Sequence, residues 1–101
     1  MIVVTSRIRV RRGSADALAT QYAERVGRAD ASPGCLGVEI LRRVDAPDEF
    51  MVYTRWESTA AYDAYRASPA FREAHERIRL IPGGIAVERM DDGVALFEVL
   101  S

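Results

Sequence analysis

Residues 2 to 11 alternate. Ile2, Val4, Ser6, Ile8 and Val10 fall on one side of an extended chain; Thr5, Arg7, Arg9 and Arg11 fall on the other, with Val3. A period of two with charge confined to one side predicts a half-buried strand. Gly13-Ser14 breaks it, and Ser14 is placed to cap a helix. From Ala15 to about Ala31 the period becomes helical: Leu18, Tyr22 and Val26 recur every fourth residue beside Ala15, Ala19 and Ala29. Ser32-Pro33-Gly34 ends that helix. Cys35 to Val44, with Val38, Ile40 and Leu41, predicts a second strand, Asp45-Ala46-Pro47-Asp48 a turn, and Glu49 to Trp56 a third strand dense in aromatic and β-branched residues. So short a connection implies an antiparallel hairpin.

Ser58 then caps a short helix carrying Tyr62 and Tyr65, and Ser68-Pro69 restarts it, with proline at the first helical position. From Ala70 to about Arg79, Phe71, Ala74, His75 and Ile78 share one face. Pro82-Gly83-Gly84 reads as a loop, Ile85 to Met90 as an extended arm, Asp91-Asp92-Gly93 as a turn and Val94 to Leu100 as a last strand. The order β-α-β-β-α-β predicts an α+β, ferredoxin-like antiparallel sheet with its helices on one face. Phe50, Val52, Trp56, Phe97 and Val99 make such a sheet too apolar to leave wet, so a second copy of the chain is the expected cover, sheet against sheet.

Length and composition narrow the classes. The 101 residues suffice for one domain, spanning 1–101. Fourteen basic and fifteen acidic residues give a net charge of -1, without the electrostatic footprint of a nucleic-acid binder. Every basic residue is Arg, which excludes Schiff-base and Lys general-base chemistry. Cys35 is the single cysteine, so neither an intrachain disulfide nor a thiolate cluster forms. No apolar run approaches the roughly 20 residues that span a bilayer, and no secretory leader pattern opens the chain; a cytoplasmic protein, away from membranes, is expected.

Three positions carry candidate chemistry. His75, the one histidine, lies on an apolar helix face. A neutral imidazole there either ligates a metal or haem iron, moves protons near neutral pH, or serves as a core-edge group bonded to a backbone carbonyl. Ser6 is the polar residue in the apolar stripe of the first strand. Its partner is a ligand, a water or a neighbouring backbone group. Tyr62 and Tyr65, three apart, are either packing or an aromatic wall for a flat organic ligand. Trp56 reads as packing. Arg7, Arg9, Arg11 and Arg12 read as a wet strand face. No paired-histidine motif, Gly-rich phosphate loop or Ser-His-Asp set is present in the sequence.

Several stretches taken together resemble a known family. Ser32-Pro33-Gly34-Cys35-Leu36-Gly37, Leu41-Arg42-Arg43-Val44, Val52-Tyr53-Thr54-Arg55-Trp56-Glu57-Ser58, Ser68-Pro69-Ala70-Phe71 and Ala74-His75 look like the antibiotic biosynthesis monooxygenase family. The similarity runs from Val3 to Leu100 and is nearest the small haem-degrading monooxygenases. It implies a homodimeric α+β barrel made of two ferredoxin-like sheets. It also implies that His75 ligates haem iron, since the histidine follows the Trp-Glu-Ser segment in matching context. That branch carries asparagine in mid first strand, where this chain has Ser6. It carries tryptophan ten residues before the histidine, where this chain has Tyr65. One of three residues is retained. Serine is shorter than asparagine and offers a hydroxyl in place of an amide N–H; tyrosine is a smaller wall than tryptophan.

Three functional expectations follow. In the first, the protein binds and degrades haem, with His75 as iron ligand, Tyr65 and Tyr62 beside the macrocycle and Ser6 as a distal polar group. In the second, it oxygenates an aromatic, polyketide-like phenol without cofactor, with His75 as general base. In the third, it is a dimeric ligand-binding module without turnover.

Overall fold

The alternation of β1 (Ile2–Val10) is clearest at its far end: Val4, Ile8 and Val10 are buried beneath helices and Arg9 on the opposite side is exposed, while Val3 on that side is also buried and Thr5, Ser6 and Arg7 are all half-buried. The structure is a computed structural model describing residues 1–11, 13–79 and 87–101; at residues 22, 24–30, 74–75, 77–79 and 87–92 the description is of the backbone. After β1 come α1 (Ala15–Asp30), β2 (Cys35–Arg42), β3 (Glu49–Trp56), α2 (Thr59–Arg66), α3 (Pro69–Arg79) and β4 (Val87–Glu98). The strands form one sheet in the order β2-β3-β1-β4, antiparallel throughout. This is the expected α+β, ferredoxin-like arrangement, with its second helix divided at Ser68.

Local chemistry sets most of the boundaries. Gly13 takes a φ of 90° between β1 and α1, and the Ser14 carbonyl accepts the Leu18 N–H that opens α1. Gly34 has a φ of 82°, and a Cβ there would stand 2.5 Å from the Ala61 Cβ of α2. Glycine is therefore required on both counts, and the Gly34 carbonyl also takes the Glu57 N–H at 2.8 Å. Ser58 caps α2 by accepting from the Ala61 N–H at 3.2 Å. The Ser68 hydroxyl donates to the Tyr65 carbonyl at 2.6 Å and accepts from the Phe71 N–H at 3.3 Å, so one side chain ends α2 and starts α3.

Two boundaries differ from expectation. β2 ends at Arg42, and Val44 is solvent-exposed, because Arg43 already turns to grip Asp45 and Glu49. The Asp91-Asp92-Gly93 turn lies inside β4. Ser6 pairs with Val94 and Ile8 with Arg89, so residues 90–93 stand opposite Arg7 as an extended bulge. Of the predicted arm, Ile85 and Ala86 lie outside the described residues, whereas Val87 to Arg89 pair with β1 of the same chain.

The core divides along β1. Ile8, Val10, Ala15, Leu18 and Phe50 form one cluster under α1. Val4, Trp56 and Tyr62 form a second under α2, with Ile2, Cys35, Ala61 and Tyr65 at its edge.

Candidate functional site

Ser6 sits where these clusters part. It lies two residues along β1 from Val4, about 7 Å in an extended chain, and two from Ile8. It is half-buried and paired across the sheet with Val52 on β3 and Val94 on β4. Directly paired antiparallel residues share a face, so Ser6, Val52 and Val94 all point to the helix side, as do Val4 and its β4 partner Leu96. Val94 and Leu96 are nevertheless 39% and 48% exposed. The helices thus cover β3 and the ends of β1 but leave open an apolar strip over β4, with one hydroxyl beside it.

Aromatic rings bound this hollow at the α2 end. Trp56 is fully buried at the end of β3. The Tyr65 ring lies 5.2 Å from it at an interplanar angle of 33°, and Tyr62 lies 5.8 Å away at 60°. Tyr65 also meets the edge of Phe71 at 5.4 Å and 88°, which ties the wall to α3. The two tyrosines part company here: Tyr62 is 8% exposed and belongs to the core, with the Arg66 guanidinium over its ring, whereas Tyr65 remains half-exposed. His75 lies on α3 one turn beyond Phe71; its side chain lies outside the described residues. Ser6 therefore lies on the helix-side face of the sheet, Tyr65 at the edge of the Val4–Trp56–Tyr62 cluster, and His75 on the helix that Tyr65 touches through Phe71.

Two contributors escaped the sequence reading. Among the described residues Thr54 is the buried polar one; its hydroxyl accepts from the Trp56 indole N–H at 2.8 Å and donates to the Val4 carbonyl at 3.3 Å. A buried tryptophan needs an acceptor, and a threonine two residues away on the same strand face was the available signal. Val94 and Leu96 were read as ordinary strand residues.

Charge gathers away from the hollow. Arg43 contacts Asp45 at 2.7 Å and Glu49 at 3.0 Å, and Arg9 reaches Glu49 at 3.4 Å. The Arg43 hydrogen bonds hold both carboxyls below their ordinary pKa and raise that of the guanidinium. The network therefore persists at neutral pH and is released only as the pH falls through those lowered values. A groove of about 360 Å³ lined by Arg7, Leu41, Arg43, Glu49 and Met51, with Arg42 and Phe50, opens at this corner, largely on the side of the sheet opposite Ser6. Among the described residues no group of three His, Cys, Asp or Glu side chains is placed to hold a metal ion, and no helix is long and apolar enough to cross a membrane.

A four-stranded antiparallel sheet with helices on one side defines a ferredoxin-like α+β protein. The model of the antibiotic biosynthesis monooxygenase family matches residues 1–77, and the chain belongs to that family. A haem-degrading monooxygenase of Bacillus thuringiensis (strain Al Hakam) is 29% identical over 101 residues, covering 98% of this chain and 90% of that protein. The solved structure of the haem degrader MhuD from Mycobacterium tuberculosis, with two haems bound in its active site, is 31% identical. It covers 100% of this chain and 97% of its own, with a TM-score of 0.76. SnoaB, a cofactor-independent oxygenase from Streptomyces nogalater, shares the fold at 18% identity and a TM-score of 0.76, covering 99% of this chain and 93% of its own.

Proposed function

We propose that this protein binds haem in the helix-side hollow and acts on it as a monooxygenase. The observation that carries the proposal is the exposed strip Val94–Leu96 lying beside Ser6 and ending at the Tyr65–Trp56 wall. The relatives named for haem degradation support it.

The residues present fit such a group. A haem macrocycle is flat and largely apolar, and the strip offers two aliphatic side chains and a half-exposed aromatic ring for its faces. Haem, when bound, supplies an iron that reacts with dioxygen, an external reductant providing the electrons. Everything else falls to the chain. His75 would hold the iron through an imidazole nitrogen from α3, in the role its sequence context implies. Tyr65 would lie against the ring, fixed by Trp56 behind it and Phe71 at its edge. Ser6 would present its hydroxyl from β1 as a hydrogen-bond donor toward the bound group. Tyr62 would act from beneath, as support for Trp56. We further propose that the whole chain acts as one domain and that two copies pair through the helix-free sheet face, in the cytoplasm, where a single cysteine stays reduced.

A second reading rests on Ser6. A half-buried hydroxyl both donates and accepts, which suits a phenol as well as a distal oxygen, and His75 would then be a general base for a cofactor-independent oxygenation. A ligand-binding module without turnover would use the same hollow.

Hemin titration separates these readings. The haem reading predicts a Soret shift that is lost in His75→Ala, and bleaching when ascorbate is added under air. Equal hemin affinity in wild type and His75→Ala would overturn it. Oxygen uptake with an anthrone-like phenol and no added cofactor, abolished by the same substitution, would support the second reading. Saturable hemin binding with neither bleaching nor oxygen uptake would leave the binding module.

A further inference from the structure

We infer that Thr54 is a positioning residue for the hollow: its hydroxyl fixes the plane of the Trp56 indole, and the indole fixes the Tyr65 ring that walls the ligand. The inference rests on the haem reading for its consequence in binding, but its geometry is independent of any ligand.

Thr54 stands directly opposite Val4 in the β1–β3 register, at the rung next to Ser6. Its oxygen is anchored twice, donating to the Val4 carbonyl of the central strand at 3.3 Å and accepting from the Trp56 indole at 2.8 Å. Trp56 has no solvent exposure and Thr54 only 7%, so no bulk water is at hand to replace either bond. Ring packing alone constrains an indole loosely in rotation about its own plane. A short N–H···O bond to an oxygen held by the backbone removes that freedom. Tyr65 packs on this ring at 5.2 Å with a tilt of 33°, so a turn of the indole is passed on to the wall. Tyr65 is in turn joined to α3 through Phe71 and through the Ser68 hydroxyl on its own carbonyl. A chain of direct contacts therefore runs from the backbone of β1 through Thr54, Trp56 and Tyr65 to the helix carrying His75.

Thr54→Val keeps the shape and removes the acceptor. The buried indole N–H must then stay unpaired or turn to find another oxygen, and Thr54→Ser restores one. In the ligand-free protein, Thr54→Val is expected to change the near-ultraviolet circular dichroism of the Trp56–Tyr65 pair, with far-ultraviolet signal retained. In the hemin-loaded protein it is expected to weaken binding about tenfold, the scale of one lost buried hydrogen bond, and to move the Soret maximum. Thr54→Ser is expected to hold both within about twofold of wild type on the same grounds. A folded Thr54→Val with wild-type near-ultraviolet spectrum and wild-type hemin affinity overturns the inference. If Thr54→Val folds poorly, Thr54→Ala is read in its place by the same criteria. His75→Ala, titrated alongside, separates the two claims: hemin affinity unchanged there overturns the haem reading, and Thr54 is then judged on the ligand-free spectrum alone, where an unchanged signal overturns it.

Discussion

Ser6 interrupts an apolar stripe, and the structure explains how the fold accommodates it: the two core clusters meet on either side of it and neither closes over it. Pattern alone found the position because a polar residue at period two inside a buried face is conspicuous. Tyr65 was singled out as one of two tyrosines on a short helix and by its place in the family resemblance, and core packing was the likelier role for Tyr62 of the pair, as its 8% exposure bears out. The difference depends on α2 placing Tyr62 inward against Trp56 and Tyr65 toward the opening. Thr54 was missed because threonine is common in strands and its significance lies in a hydrogen bond that only packing creates. The prediction belonging to this scale concerns Ser6. Ser6→Asn extends the side chain and exchanges a hydroxyl for an amide N–H donor, so ascorbate-driven loss of the Soret band should quicken several-fold, as for a single added donor to developing charge. Single-turnover absorbance decay measures it, and an unchanged decay in a folded, haem-loaded variant would show that the length of this side chain does not limit turnover.

The elements were legible to the extent that their ends carry their own chemistry. β3 falls at Glu49–Trp56 as predicted, and the serines at 58 and 68 sit at helix starts, where their hydroxyls accept otherwise unpaired N–H groups. At Ser68-Pro69 α2 ends and α3, the helix that carries His75, begins. The Asp91-Asp92-Gly93 segment was not legible. Acidic residues followed by glycine serve a turn and a bulge equally well, and only the register against β1 distinguishes them. The bulge falls at Arg7, immediately beyond the Ser6–Val94 pair. β4 therefore delivers Val94 and Leu96 to the helix side in phase with Ser6 and Val4, and resumes pairing at Arg89 in a shifted register. The hollow's floor depends on that shift occurring after Ser6 rather than before it, since a slip of one residue would turn Val94 to the other face.

At the scale of the molecule, the sheet has two faces with different needs. The helices cover one, apart from its β4 edge. On the other, Leu41 and Met51, then Tyr53 and Ala95, then Val3 and Phe97 form successive rungs, interspersed with Arg7, Thr5 and Arg55. Leu41 and Phe97 are 41% and 53% exposed there. An apolar sheet face of this kind is the mark of an interaction surface, and pairing with a second copy is the arrangement proposed. Sedimentation equilibrium should then give a dimer for wild type and a monomer for Phe97→Asp, because a charge desolvated at the centre of a two-fold interface is strongly unfavourable. A wild-type monomer at high micromolar concentration would contradict it.

The two faces also provide the most direct test of where the ligand goes. Ferric haem broadens proton resonances steeply with distance, and side chains of the two faces stand on opposite sides of the backbone, so a ¹H–¹³C methyl correlation spectrum recorded with and without hemin reports which face it lies on. A site on the helix side predicts the strongest broadening at the methyls of Val52, Val94 and Leu96, with those of Val3, Leu41 and Met51 on the helix-free face broadened least. Broadening strongest at those last three, or equal on the two faces, would contradict a site on the helix side.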